Sequence, residues 1–164
     1  SQKFSLYEDL TVEENITFFG GAYGLSKERI RERMSWVVEM AGLSGREDEL
    51  TGRLAGGWRQ RLALGCAILH EPSILFLDEP TVGQHLEDVA RLIEVLHGLV
   101  DVGHTVVVLE HHPQLLAACD WLIELGPGGG PEGGRIIASG TPEELAGGNT
   151  PTAPYLGEAL GARR

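Results

Sequence analysis

Two stretches of this sequence carry residue types and spacings suited to phosphate chemistry. The first is Gly56-Gly57 at the start of a helical pattern. The unpaired N–H groups of a helix's first turn, together with the positive end of its dipole, make a seat for an anion. The second is Asp78-Glu79, which follows the apolar run Ile74-Leu75-Phe76-Leu77. That run puts two acids at the C-terminal end of a strand, where α/β proteins bind ligands. A bare Asp-Glu pair would read as loop caps, but the apolar run before it and Pro80-Thr81 after it favour a ligand site. No GxxxxGK[ST] phosphate loop occurs anywhere in the chain.

The elements that must hold these residues fall into two kinds. Thr11 and Glu14 have capping-box spacing and open a helix that Gly20-Gly21 are expected to stop. Ser26 caps a second helix, Lys27 to Met40, with a stripe of Ile30, Met34, Val37 and Val38, and Gly42 near its end. The helix opened by Gly56-Gly57 is predicted to run to about His70, with Leu62, Cys66 and Leu69 on one face. Strands and helices then alternate. Strands are predicted at Ile74–Leu77, Thr105–Leu109, Trp121–Leu125 and Arg135–Ser139, the first two buried on both faces as parallel strands are. Helices are predicted at Leu86 to Val100 and Pro113 to Ala118. Thr141-Pro142-Glu143-Glu144 caps another short one. The Gly/Pro run from Gly126 to Gly134 reads as a surface turn. The tail from Gly147 reads as loosely ordered. The expected organisation is a helical part (1–70), an α/β part (71–146) and a tail (147–164).

Composition narrows the function classes. A net charge of −11 over 164 residues argues against a general nucleic-acid surface. Cys66 and Cys119 fit no metal spacing and read as buried free thiols of a reducing cytoplasm. No apolar run reaches the ~18–20 residues that a membrane span requires.

The run LAGGWRQRLALGCAILHEPSILFLDEP, Leu54 to Pro80, resembles the signature loop and Walker B motif of the ABC ATPases. The resemblance implies an α/β fold of the P-loop NTPase type, a helical subdomain followed by a partial, mostly parallel sheet. It also implies ATP and Mg²⁺ as cofactors. Gln2 and the segment to Asn15 resemble the Q-loop, whose amide would touch Mg²⁺ or the attacking water. Leu54, Ala55, Gly56, Gly57 and Gln60 would form the signature loop, which acts in trans on ATP held by a partner subunit. Ala55 stands where the family usually has Ser, so one hydrogen bond to the phosphate would be missing. Asp78 would hold Mg²⁺, Glu79 would polarise the attacking water, Gly83 would lie in the D-loop, and His111 would be the switch histidine.

The resemblance changes along the chain. Residues 1–83 are similar to the ATPase subunit of a bacterial ABC exporter. From His85, the text HLEDVARLIEVLHGLVDVGHTVVVLEHH and DWLIELGPGGGPEGGRIIASGTPEELA is similar to the end of UvrA, a DNA-repair ATPase. Glu110-His111 replaces the Ser/Thr-His usual in transporters. A chimeric joint near the D-loop accounts for the change; a natural divergent ATPase is the alternative.

The expected function is therefore the C-terminal segment of an ABC-type ATPase, inactive alone because the phosphate loop is absent. Implied partners are a second ATPase subunit or a lobe carrying that loop, and a membrane permease bound through the helical subdomain. The expected location is cytoplasmic, or at the membrane through that partner. The rival expectations are a non-catalytic, self-associating module and a UvrA-like repair fragment. Direct DNA binding is disfavoured, since from Gln84 onward four arginines face eleven acids.

Overall fold

The computed structural model describes residues 6–126, 128 and 133–161. The chain divides into two compact units, Ser1–Val108 and Leu109–Arg164. Gln2 lies outside the described residues.

The first unit opens with α1 (Val12–Ala22), α2 (Lys27–Ala41) and, after a 3₁₀ turn at Thr51–Arg53, α3 (Gly56–Ala67). The expected caps are present. Thr11 and Glu14 form the capping box, Ser26 accepts from Arg29 N–H, and Gly42 closes α2 in the left-handed conformation at φ 69°. Gly20-Gly21 do not stop α1, which continues through them. The reason is packing: a Cβ on Gly20 would stand 2.7 Å from Ile30 Cγ1, so the bare backbone lets α2 lie against α1. The core joins Val12 and Ile16 of α1, Val37 and Val38 of α2, and Leu62 and Cys66 of α3. Each such buried side chain contributes roughly 1.5–3 kcal/mol. Cys66 is a free thiol in that core, and burial pushes it up to about 12. Asn15, fully buried, donates to Thr51 Oγ1 (2.9 Å) and Tyr7 O (2.9 Å), tying the segment before α1 to the turn before α3.

The first unit continues with β1 (Ile74–Asp78), α4 (Leu86–Asp101) and β2 (Thr105–Leu109), and the two strands form a two-stranded sheet. His104 Nδ1–H donates to Pro72 O (2.6 Å) and Thr105 N–H to Ser73 O (2.9 Å), joining the starts of the strands. Helix α4 buries Val89, Leu92, Leu96 and Leu99, the expected stripe. The strands are not buried on both faces. Leu75 is covered, whereas Ile74 is 52% and Phe76 69% exposed, and on β2 Val107 and Leu109 are exposed. Among the described residues no packed layer covers these apolar side chains, so the expected burial fails.

The second unit holds α5 (Pro113–Leu116), β3 (Leu122–Gly126), β4 (Arg135–Gly140), α6 (Pro142–Ala146) and α7 (Ala153–Gly161). Strands β3 and β4 pair antiparallel with a bulge after Glu124, so the described strands make two small sheets. Trp121, Ile123, Leu125 and Ile136 are exposed on this hairpin. The tail is not loose: α7 buries Leu156 completely against Ala117 and Leu145. Thr152 anchors its start, donating from Oγ1 (2.6 Å) and N–H (3.2 Å) to Glu124 Oε1. Burial pushes Glu124 upward, but the two hydrogen bonds from Thr152 help hold the carboxyl below its ordinary value. Cys119 is a half-buried free thiol, not a fully buried one, and its Sγ–H points at Leu116 O (3.1 Å).

Candidate nucleotide-binding site

The turn that opens α3 is fixed from below and bare above. Leu54 is buried and its N–H bonds Thr51 O (3.2 Å), which locks the turn to the 3₁₀ segment. Ala55 is the N-cap, extended at φ −63° and ψ 156°, and supplies no side-chain cap. Ala55 and Gly56 are exposed, and no acid stands in the helix's own first turn. A helix start without a cap or an acid of its own is suited to an external anion. Trp58 carries the Arg46 guanidinium over its ring at 3.7 Å, and Gln60 is half-buried.

The carboxylates of Asp78 and Glu79 are exposed at the end of β1. Glu79 has φ 44°, in the left-handed region that a non-glycine residue adopts only at some cost. The turn beyond it is built by backbone bonds from Val82 N–H to Glu79 O (3.2 Å) and Gln84 N–H to Thr81 O (3.1 Å). Pro80 and Thr81 are buried beneath, and Gly83 is exposed at φ 73°.

Two residues that sequence reasoning passed over join the α3 start to α4. Arg61, 6% exposed, donates from Nε to Ala41 O (3.0 Å) and from Nη1 to Asp88 Oδ1 (3.1 Å). The Asp88 carboxylate also lies against the bare Cα of Gly57, where a Cβ would run into it. The signal for this contact is faint: an Arg one turn after Gly57, with its partner 27 residues on. A cavity of about 490 Å³ opens beside them, lined by Ala55, Trp58, Arg61, Asp88 and Arg91 among others.

In the second unit, His111 is exposed and follows Glu110. Glu110, whose side chain is fully buried, accepts from the N–H groups of His111 (2.7 Å) and His112 (3.0 Å). It thereby fixes the backbone from which the His111 imidazole projects. The sequence showed Glu110 only as a departure from the transporter pattern. Leu54–Gln60, Asp78, Glu79 and Gly83 all belong to the first unit, and His111 belongs to the second.

The family model described as ABC transporter matches residues 1–82, half of the chain. This chain belongs to the ABC ATPase family. It is 39% identical over 151 residues to UvrABC system protein A of Thermus thermophilus, spanning 90% of this chain and 15% of that protein. It is 43% identical over 147 residues to the probable multidrug ABC transporter ATP-binding protein YbhF of Escherichia coli K12, spanning 88% of this chain and 24% of that one. The chain thus spans less than a quarter of these relatives' lengths. Among solved structures, UvrA2 from Deinococcus radiodurans matches with a TM-score of 0.66 and 39% identity, over 93% of this chain and 19% of that one. The cbiO1 protein of Clostridium perfringens, part of the transporter complex cbiONQ, matches in fold with a TM-score of 0.73, 24% identity, and cover of 86% and 54%. The mixed α/β fold and the double resemblance to transporter and UvrA ATPases are both borne out.

ABC ATPases bind ATP with Mg²⁺, and the residues present suit that ion. Mg²⁺ prefers hard oxygen donors and is held by one or two carboxylates with substrate phosphates rather than by a closed protein cage. Asp78 is such a carboxylate, exposed at a strand end, and among the described residues no group of three His, Cys, Asp or Glu side chains forms a cage. No helix among the described residues is long and apolar enough to cross a membrane.

Proposed function

We propose that the chain is the signature-and-Walker-B portion of an ABC-type ATPase, which hydrolyses ATP when joined to a lobe that carries a phosphate loop. The observation that carries this reading is the conformation of Glu79, a left-handed residue set immediately after Asp78 at the strand end. Strain of this kind persists where the surrounding structure enforces it, and such residues cluster at functional sites. In this reading Asp78 holds Mg²⁺ and Glu79 accepts a hydrogen bond from the attacking water. Mg²⁺, when bound, neutralises charge on the phosphates. The N–H groups at Gly56 and Gly57 receive the γ-phosphate of ATP held on a partner subunit, with Leu54, Ala55 and Gln60 shaping that loop. His111 orients on the γ-phosphate from the backbone that Glu110 fixes. Gln2 contributes an amide to the Mg²⁺ or the water, and Gly83 meets the partner subunit. Division into a helical part (1–70), an α/β part (71–146) and a tail (147–164) belongs to the same reading. So do a cytoplasmic location, with membrane association through a permease, and the joining of transporter-like and UvrA-like parts near Gly83.

Complementation tests the proposal. The chain is mixed with a separately made lobe carrying a phosphate loop, and phosphate release from Mg·ATP is measured with the native chain and with Glu79→Gln. Turnover with the native chain, and its loss with retained ATP binding in the variant, is expected. Equal turnover by both would remove Glu79 from catalysis.

A second reading, a self-associating module without catalysis, is favoured by the bare apolar side chains of both sheets, Phe76 at 69% and Leu125 at 62% exposed among them.

A further inference from the structure

Between the end of α3 and the start of β1 the chain runs through a short connector, Ile68 to Ser73, which is gripped from two sides. The helices hold its first half. Arg29 and Arg33 of α2 both reach the Glu71 carboxylate, Arg33 Nη1 at 3.2 Å, and the Tyr23 and His70 rings lie with their centroids 4.3 Å apart. The start of β2 holds the second half, where His104 Nδ1 meets Pro72 O and Thr105 N–H meets Ser73 O. Glu71 itself stands at φ 55°, in the left-handed region, with its N–H on Ile68 O (3.0 Å). A residue with a Cβ keeps that conformation only against a steric cost, so the connector is strained where the guanidiniums hold it.

These contacts are able to open. Arg29 Nη1 also bonds Glu32 (2.7 Å), and Arg33 lies over the Trp36 ring at 4.4 Å and reaches Ile68 O (3.5 Å). The Glu71 side chain is 43% exposed, so water replaces the cations at its carboxylate. Release therefore leaves neither cation without a partner and lets the Glu71 backbone relax. Exposed ion pairs are individually weak and are screened by salt. Weak attraction set against backbone strain makes a contact close to balance.

We propose that Glu71, Arg29 and Arg33 form a salt- and acid-releasable lock on the connector between α3 and β1, which opens to a relaxed Glu71 backbone. The lock goes beyond the reading of a nucleotide site and stands without it. The charged and titratable groups around Glu71 are Arg29, Glu32 and Arg33 of α2, His104 before β2, and His70 in the connector. The hydrogen bond from Arg29 holds the Glu71 carboxyl below its ordinary value against burial, helped by the charges of Arg33 and His104. Such a carboxyl contributes fully above the usual carboxylate range, and its contribution is lost as pH falls through and below that range. Histidine protonation beside it adds positive charge and tightens the lock, so acid release belongs to the carboxylate alone.

Amide exchange of the full chain tests the lock at the N–H of residue 71, with interior amides of α4 as the reference. At neutral pH, raising sodium chloride from about 0.05 M to about 0.5 M cuts the Debye length to a few ångströms. Protection of the native amide should then fall roughly fivefold relative to α4. Glu71→Gln removes the charge and keeps the strain. Its amide should be as weakly protected at low salt as the native one is at high salt, and salt should no longer move it. Glu71→Gly removes the strain as well, since glycine takes the left-handed conformation freely. It should recover protection, show no salt response, and melt at a higher temperature than Glu71→Gln. On acidification through the carboxylate range, the native amide should lose protection beyond its intrinsic rate change, and neither variant should. A native amide indifferent to salt, or a Glu71→Gln amide that responds as the native one does, would overturn the lock. Glu71→Gly melting no higher than Glu71→Gln would remove the strain, leaving a plain ion pair and no switch.

Discussion

Position 55 bears on folding and, under the proposed function, on ligand binding as well. It holds the N-cap position of α3 in the extended conformation that a capping residue takes, but its methyl group accepts nothing. Serine there would accept from a first-turn N–H, a gain of about 0.5–2 kcal/mol. Ala55→Ser is therefore expected to raise the melting temperature without any nucleotide. In a domain completed by the phosphate-loop lobe, the same hydroxyl can donate to a γ-phosphate, a further ~1–3 kcal/mol when the acceptor is charged. Sedimentation of the Glu79→Gln form with Mg·ATP should then show a tighter dimer. A higher melting temperature with no change in dimer affinity would mean that position 55 caps the helix without meeting nucleotide. Glu79 illustrates a different limit of sequence reading. Its identity and its place after Asp78 were legible, but its left-handed backbone was not, since nothing in the text Asp-Glu-Pro requires it. Asp88 was still less visible: an acid in the first turn of a helix is ordinary, and only folding brings it onto Gly57.

At the scale of elements, local chemistry carried most of the reading. Capping boxes at Thr11 and Thr141, the left-handed Gly42, and the stripes of α2 and α4 each depend on residues within a few positions of one another. Two of the misses turn on distant contacts. Gly20 stays helical because Ile30 packs on it, and the tail becomes α7 because Leu156 finds Ala117 and Leu145. The anchor of α7 is open to a direct test. Glu124 is held below its ordinary value with the help of the Thr152 hydrogen bonds, so its contribution is fully present above the usual carboxylate range. It should be lost as pH falls through and below that range. Amide exchange of α7 is expected to accelerate under acid before that of α3, and Glu124→Gln should shift this acid step. Unchanged α7 protection throughout would remove Glu124 from the anchor.

For the molecule as a whole, the two units each present apolar strand residues to solvent, Ile74 and Phe76 in the first and Ile123, Leu125 and Ile136 in the second. Such faces favour pairing with another copy. The charge of −11 works against it, since two like-charged chains repel across a Debye length of about 8 Å at physiological salt. Association should therefore grow with both concentration and salt, and light scattering over a dilution series at two ionic strengths would measure it. A monomer under every condition, with a cooperative high melt, would show that these faces need no cover.

The same bare strands leave a mark on how the chain unfolds. The heat absorbed per degree on denaturation rises with the apolar area that is newly wetted, about 12–15 cal/mol/K per residue in an ordinary domain. Phe76, Leu125 and Ile136 are already more than half wet in the native state and bring little new hydration when the chain opens. As a monomer, this chain should show a shallower stability curve and a smaller denaturant dependence than its length implies. Under the proposed function, a partner lobe that covered those strands would steepen both.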